Sequence, residues 1–251
     1  MPWYQEIYSG EMAKYWEKIL LGETRYIENV LVKNLLKDGL VLDLGCGPGS
    51  HTTYISKYQR VIGLDLSPEL IKKAKEECKN SGNYKNVCLM RGDMRKLPFE
   101  SEFFDNVIHI LSFGFFSDEE DKLVFSEIAR VLKRCGIYVY QNFYHPPSSR
   151  PLKWELDYLS SPDTPKDYFV TKKRRYDPKT KRIHIKEIIE NLETKKKIKL
   201  EFTGDRLYDV DELKELHKQN GLKIEGIFSG LEMKEFDPTE FNLMTIVSKK
   251  K

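Results

Sequence analysis

The sequence predicts an α/β protein: a seven-stranded, mostly parallel sheet interrupted by an inserted antiparallel β meander. Three observations carry this. Apolar runs around residues 40–44, 60–65, 87–90 and 106–111 alternate with amphipathic stretches, which is the mark of βαβ units. Residues 169–203 instead alternate single apolar and polar residues in three runs, as in a sheet with one face in water. The 251 residues are 40% hydrophobic and 12% aromatic, enough for one sizeable core plus an insertion.

Residues 1–38 read as a helical lid. Trp3, Tyr4, Ile7, Tyr8, Met12, Tyr15, Trp16 and Ile19 recur at helical spacing, and a second helix is expected over 24–36, closed by Gly39. The core is expected over 39–145. Its second strand ends in Asp65, and Ser67-Pro68-Glu69 opens a helix with a capping serine, a proline at the first helical position and an acid in the first turn. Leu70, Ile71, Ala74 and Cys78 form the buried face of that helix. A third strand is followed by Gly92-Asp93-Met94 and a fourth ends near His109. Ser117-Asp118-Glu119-Glu120 is a capping box that starts the next helix, and a fifth strand is expected over 137–143. The inserted cap takes 146–205: an irregular Pro- and Ser-rich opening to about residue 166, then strands over 169–176, 182–192 and 197–203. Residues 206–251 return to the core with a helix from Asp209 and two strands, over 222–228 and 241–248.

The stretch Val41-Leu42-Asp43-Leu44-Gly45-Cys46-Gly47-Pro48-Gly49-Ser50 organises the rest. A buried strand feeds a turn with glycine at every second position, and a helix beginning near His51 would present unpaired N–H groups beside it. The spacing is D-x-G-x-G-x-G, not the G-x-G-x-x-G of a dinucleotide site. Asp43, two residues before the first glycine, suits a cationic ligand better than a pyrophosphate. Asp65 lies twenty residues beyond Gly45, the distance expected for a carboxylate on ribose hydroxyls. Asp93 follows the third strand, where it could accept from an adenine amino group. The three acids together describe an adenosine ligand with a positive charge near the glycines.

Asp43–Gly49, Asp65 and Gly92-Asp93-Met94 resemble the first three motifs of the class I S-adenosylmethionine-dependent methyltransferases. Phe104-Asp105-Asn106-Val107-Ile108 and the run from Ala129 to Gly136 resemble the later ones, with Arg134-Cys135-Gly136 where Pro-Gly-Gly is usual. The resemblance covers residues 38–145 and implies a Rossmann-like fold with S-adenosyl-L-methionine as cofactor. The inserted three-stranded meander after the fifth strand is similar to a small-molecule subgroup. Carried over by position, it implies that Gly45, Gly47 and Gly49 pass under the methionine part with Asp43 nearby. Asp65 would bind the ribose, with Leu66 against the adenine. Asp93 and the Met94 backbone would hold the adenine, and His109 would face the sulfur side.

Methyl transfer from an activated sulfonium needs chiefly positioning, so no catalytic residue is named. A general base, where the acceptor requires one, would come from His109, Tyr144 or His145. Tyr8, Tyr144 and His145 are expected to face the substrate. A small-molecule acceptor, methylated at oxygen or nitrogen and less readily at carbon, is the first reading. The basic runs Lys172–Arg175 and Lys195–Lys197 raise RNA as an alternative, although glutamates offset them and the fourth strand lacks an exocyclic-amine motif. A protein that binds the cofactor without transfer is a second alternative. Forty-two basic and 39 acidic residues are near balance and force no nucleic-acid or membrane partner. Four scattered cysteines suggest neither zinc nor disulfides, and a cytoplasmic protein without a membrane span or metal is expected.

Overall fold

The computed structural model describes residues 34–82, 84–153, 155–159, 168–230, 234–240 and 242–251. The lid expected over 1–38, with Tyr8, falls almost entirely outside them. Only the end of its second helix is described, where Leu35 packs on the core. The described strands and helices run β1 (Leu40–Leu44), α1 (Ser50–Ile55), β2 (Arg60–Asp65), α2 (Pro68–Asn80), β3 (Val87–Arg91), β4 (Phe104–Ile110), α3 (Asp118–Val131) and β5 (Leu132–Tyr144). They continue with β6 (Glu155–Leu159), β7 (Tyr168–Asp177), β8 (Arg182–Asn191), β9 (Lys197–Arg206), α4 (Val210–Gln219), β10 (Leu222–Ser229), β11 (Lys234–Glu235) and β12 (Asn242–Lys250).

The main sheet has the order β11-β10-β12-β5-β4-β1-β2-β3. Strands β1 to β5 pair in parallel, while β12 is antiparallel to both β5 and β10. The sheet therefore has eight strands where seven were expected, because two residues, Lys234 and Glu235, add an antiparallel edge to β10. Both faces are covered, which is why β1 reads as a continuous apolar run. Leu42 and Leu44 face one core layer with Phe104, Val107 and the α3 residues Val124 and Ile128. Val41 faces the other with Ile55, Val61 and Ile108.

The helix starts follow their sequence signals. Leu70 N–H donates to Ser67 Oγ at 3.2 Å. In the box opening α3, Glu120 N–H donates to Ser117 Oγ and Ser117 N–H to the Glu120 carboxylate. The fifth strand departs from expectation. It begins directly after α3 at Leu132, passing through Cys135 at φ +58°, the left-handed conformation that the usual glycine would supply.

The insertion is a second sheet of order β6-β7-β8-β9. The three expected strands are present, each lengthened by one to three residues at one or both ends or trimmed by one. The fourth, β6, comes from the stretch read as irregular. Its alternation is only five residues long, and it forms by antiparallel pairing with β7. Among the described residues no helix is long and apolar enough to cross a membrane.

Candidate active site

The turn after β1 lies at the carboxyl end of the parallel strands, where open α/β sheets bind ligands. The N–H groups of Gly45 and Cys46 both donate to Leu64 O of β2, at 2.8 and 3.1 Å. Gly45, Gly47 and Gly49 have φ of +72°, +53° and +85°. A Cβ on Gly45 would lie 2.5 Å from Ser112 Oγ, and one on Gly49 2.7 Å from Ala74 Cβ. The chain's own packing thus already demands glycine at two of these positions. The helix that follows, α1, is only six residues long, so the backbone of the turn itself and the acids beside it shape the site.

Asp65 ties the turn down. Its Oδ2 accepts from Gly47 N–H at 2.9 Å and its Oδ1 from Ser67 N–H at 2.8 Å. The Leu66 N–H also bonds the carboxylate, and of its about four lone-pair positions one remains for a ligand hydroxyl. Asp43 is buried and accepts from Thr52 Oγ1 at 2.5 Å. Burial pushes its carboxyl up to about 7, offset in part by the Thr52 hydroxyl and reinforced by the charge of Asp65. Burial also raises Asp65, against the hydrogen bonds it accepts from Ser67 and Gly47. Two acids held under one turn make a field that favours a cation. The glycines leave the backbone open beside it, so the residues fit a cofactor with a ribose and a positive charge.

Leu66 is half-buried after β2, and its carbonyl accepts from Arg91 Nε at 3.1 Å. Met94 is buried, and its Cε lies 3.5 Å from where a Gly45 Cβ would be, so its side chain reaches beneath the turn. Asp93 is held by Arg95, which donates through its N–H at 2.9 Å and through Nη2 at 2.7 Å. Those bonds hold its carboxyl below the usual range. Arg95 also pairs with Glu120 and stacks 4.6 Å from the Phe116 ring centroid.

His109 lies inside the core, one hydrogen bond from Ser112. It is fully buried, with Nε2 3.0 Å from Ser112 O and Nδ1 3.4 Å from Tyr138 Oη. Burial pushes it down to about 4, so the ring is neutral and shapes the loop after β4. Strand alternation explains the placement: His109 shares a face with Val107, under α3. Tyr144, at the end of β5, is buried edge-on against Phe236. His145 is half-buried, and its carbonyl accepts from Arg150 Nε.

Three residues that sequence reasoning did not single out organise the crevice. Ser112 Oγ donates to Leu44 O at 3.0 Å and packs against Gly45. Arg182 and Arg206 dock the inserted sheet on the same loop. Arg206 N–H donates to Gly114 O at 2.9 Å, and Arg182 donates to Gly114 O at 3.0 Å and to Phe116 O. The Arg206 guanidinium pairs with Glu212 and Asp118, each at 2.9 Å, and lies 3.9 Å from the Tyr208 centroid. Tyr208 Oη donates to Asp121 at 2.8 Å. The cap is therefore fixed on the loop after β4 and the start of α3. Among the described residues no group of three or more His, Cys, Asp or Glu side chains is placed to hold a metal ion.

Comparison with known proteins gives the same setting. A family model described as a methyltransferase domain matches residues 41–136. The ubiquinone/menaquinone biosynthesis C-methyltransferase UbiE of Wigglesworthia glossinidia brevipalpis is 32% identical over 131 residues, 50% of this chain and 52% of that protein. The chain spans about half the length of the curated relatives it matches. Among solved structures, the CcbJ methyltransferase of Streptomyces caelestis superposes with a TM-score of 0.79 at 15% identity, covering 99% of this chain and 96% of that one. The SAM-bound amino pentose methyltransferase CalS10 of Micromonospora echinaspora gives 0.65 at 15% identity, over 95% of each chain. At these identities the structural likeness is one of fold.

Proposed function

Because residues 41–136 match a methyltransferase domain and their motifs resemble the class I, S-adenosylmethionine-dependent kind, we propose that the protein transfers a methyl group to oxygen or nitrogen, less readily carbon, of a small-molecule acceptor. One observation carries the reading: Asp65 at the end of β2 clamps the Gly47 N–H of the turn after β1, beside the buried acid Asp43. S-adenosyl-L-methionine, when bound, supplies an already activated methyl group. In this reading Asp65 accepts from its ribose with the lone-pair position left to it, and Leu66 lies against the adenine. Asp43 offsets its positive charge. Asp93 and the Met94 backbone hold the base, and Asp93 must then share its carboxylate with Arg95. The chain's remaining task is to hold the acceptor in line and exclude water, and orientation alone can supply much of the barrier reduction.

The inserted sheet supports a small acceptor, because it is anchored across the crevice on Gly114 and Phe116. Tyr144 and His145, at the end of β5, are the residues we assign to the acceptor side. The names of similar proteins, a ubiquinone/menaquinone biosynthesis C-methyltransferase and a demethylmenaquinone methyltransferase, support a small-molecule acceptor and keep carbon open as the methylated atom. The RNA reading rests on the runs Lys172–Arg175 and Lys195–Lys197, of which the first is the longer. Strand alternation sends Lys172 and Arg174 to one face of the inserted sheet and Lys173 and Arg175 to the other, so that run is divided between two faces, while Lys195–Lys197 stays together at the turn before β9. Calorimetry with S-adenosylhomocysteine, followed by transfer of labelled methyl from the cofactor to small-molecule and RNA fractions, tests the proposal. Label in RNA would replace the acceptor class, and absence of binding would remove the function.

A further inference from the structure

The two faces of the inserted sheet differ. Val170, Ile183, Glu187 and Ile189 are buried on the inner one. The residues between them face outward, and the register sets those of three strands side by side. Phe169 and Lys173 on β7 stand opposite Glu190 and Lys186 on β8, and Ile188 stands opposite Lys199 on β9. Arg182 and Arg206 hold the cap to the core at one end of these strands. The outward patch lies towards the other end, where the turn before β9 is roughly 30 Å along the strand from Arg206.

The centre of the patch is apolar. Phe169 is 47% exposed, Ile188 39% and Leu192 41%. Phe169 lies diagonal to Ile188 across the strand pair, within reach of an aromatic ring, and Leu192 continues the β8 row one residue past the strand. The margin is basic: Lys173, Lys186, Lys195, Lys196, Lys197 and Lys199 are all exposed. The acids among them are Glu190, Glu193 and Glu201. Lys197 pairs with Glu190 at 3.0 Å and Lys186 with Glu201 at 2.9 Å. Glu193 alone is left against Lys173, Lys195, Lys196 and Lys199, none of which has a salt bridge among the described residues. Glu187 is buried on the inner face and offsets none of them here. The turn is ordered, since Asn191 Oδ1 accepts from the N–H groups of Glu193 and Thr194 at 3.0 and 2.8 Å. Nearer the anchor the outer face is closer to balance, with Arg175 opposite His184 and Asp177 3.8 Å from the His184 ring.

Exposed apolar side chains gathered by the register and rimmed with surplus lysines match a surface that is anionic outside and apolar beneath. We propose that the outer face of the inserted sheet docks on an anionic lipid surface. Phe169, Ile188 and Leu192 enter the headgroup boundary. The lysine stems lie along this apolar centre while their ammonium groups meet lipid phosphates. An RNA would use the same lysines but would stack its bases on aromatic rings, and two of the three apolar residues here are aliphatic. The surface uses none of the residues assigned to methyl transfer and goes beyond that reading.

The test is sedimentation of the full chain with vesicles of phosphatidylcholine, with and without phosphatidylglycerol at about one lipid in three, in low and high salt. Affinity for the anionic vesicles is expected to exceed that for the neutral ones at least about tenfold and to fall steeply in high salt. Reversing two lysines together, Lys196→Glu with Lys199→Glu, should weaken binding at least about tenfold, since each basic residue at such a surface contributes roughly fivefold. Phe169→Ser with Ile188→Ser should weaken it several-fold with the charge unchanged. S-adenosylhomocysteine affinity should stay unchanged in both variants. No sedimentation, equal sedimentation with the two kinds of vesicle, or undiminished affinity in either variant overturns the inference. A mixed-sequence RNA that binds more tightly than the vesicles, and is lost only in the lysine variant, overturns it in favour of a nucleic-acid face. A dimer of the wild type that Phe169→Ser with Ile188→Ser dissociates overturns it in favour of a second copy of the chain. The lipid and salt dependence is read on the wild type, so the inference stands or falls even where a variant unfolds.

Discussion

The Asp65 carboxylate accepts the Gly47 N–H at 2.9 Å, so the residue we propose for the ribose also holds the shape of the glycine turn. Asp65→Ala removes both roles. It is expected to weaken S-adenosylhomocysteine about 10–100-fold by calorimetry, the range for losing one or two hydrogen bonds to a charged group. Unchanged affinity would take Asp65 out of the site.

Gly49 tests whether the glycine spacing serves the chain itself. At φ +85°, with Ala74 Cβ 2.7 Å from a would-be Cβ, Gly49→Ala combines left-handed strain with overpacking on α2. The expected loss is about 2–5 kcal/mol in urea unfolding. Adding Ala74→Gly should relieve the contact but not the strain, returning part of the loss. No rescue would refute the contact.

Cys135 occupies φ +58° where the related motif carries glycine. Cys135→Gly should stabilise the protein by about 0.5–1 kcal/mol, the left-handed cost removed less the entropy glycine adds. A destabilised variant would show that the thiol or its Cβ contributes packing.

Arg206 is the joint between cap and core, 8% exposed and paired with Glu212 and Asp118. Burial pushes Glu212 up, but bonds from Arg206, the Asp209 N–H and Lys181 outweigh it and hold the carboxyl down at about 2. Arg206→Ala should cost roughly 2–3 kcal/mol, as expected for charge-assisted bonds with half-exposed partners. Arg206→Lys should restore only part, since an ammonium cannot span both acids and stack on Tyr208. Full restoration would mean that charge alone holds the joint.

Asp43 makes a prediction about pH. Its folded carboxyl titrates near 7, above the ordinary 3.8, so the folded state binds the extra proton between those values. Stability from this group is fully present below the ordinary value and is lost as pH rises through 7. The difference in unfolding free energy between wild type and Asp43→Asn should therefore fall from pH 4 to pH 7. His109 and His217, both lowered to about 4, act in the opposite direction and cancel in that difference. A flat difference would place the Asp43 proton elsewhere.

Much of the main sheet is legible in the sequence because its signals are local. Apolar runs, Ser67 and Ser117 as caps, and acids at strand ends all act within a few residues of where they stand. What is not legible depends on distant partners. Strand β6 exists because β7 pairs with it, and two-residue β11 because β10 does. Ser112 matters through Leu44, 68 positions away, and Arg182 through Gly114, also 68 away. The resemblance implies that His109 faces the sulfur side; its alternation with Val107 puts the ring in the buried layer beneath α3. Of the site, Asp43, the glycines and Asp65 lie together as their spacing suggested, whereas the basic outer face of the cap needs the strand register to be seen.

Ser112, pressed on Gly45, and Gly114, which takes the cap's hydrogen bonds, are separated by one residue. Two peptide units span at most about 7 Å, too little slack for one anchor to move while the other stays. A shift of Ser112 at the glycine turn is therefore mechanically linked to the pose of the cap, and in the proposed function a bound cofactor sits on that turn. Initial-rate kinetics should show a compulsory order, cofactor first on and last off, in place of random entry.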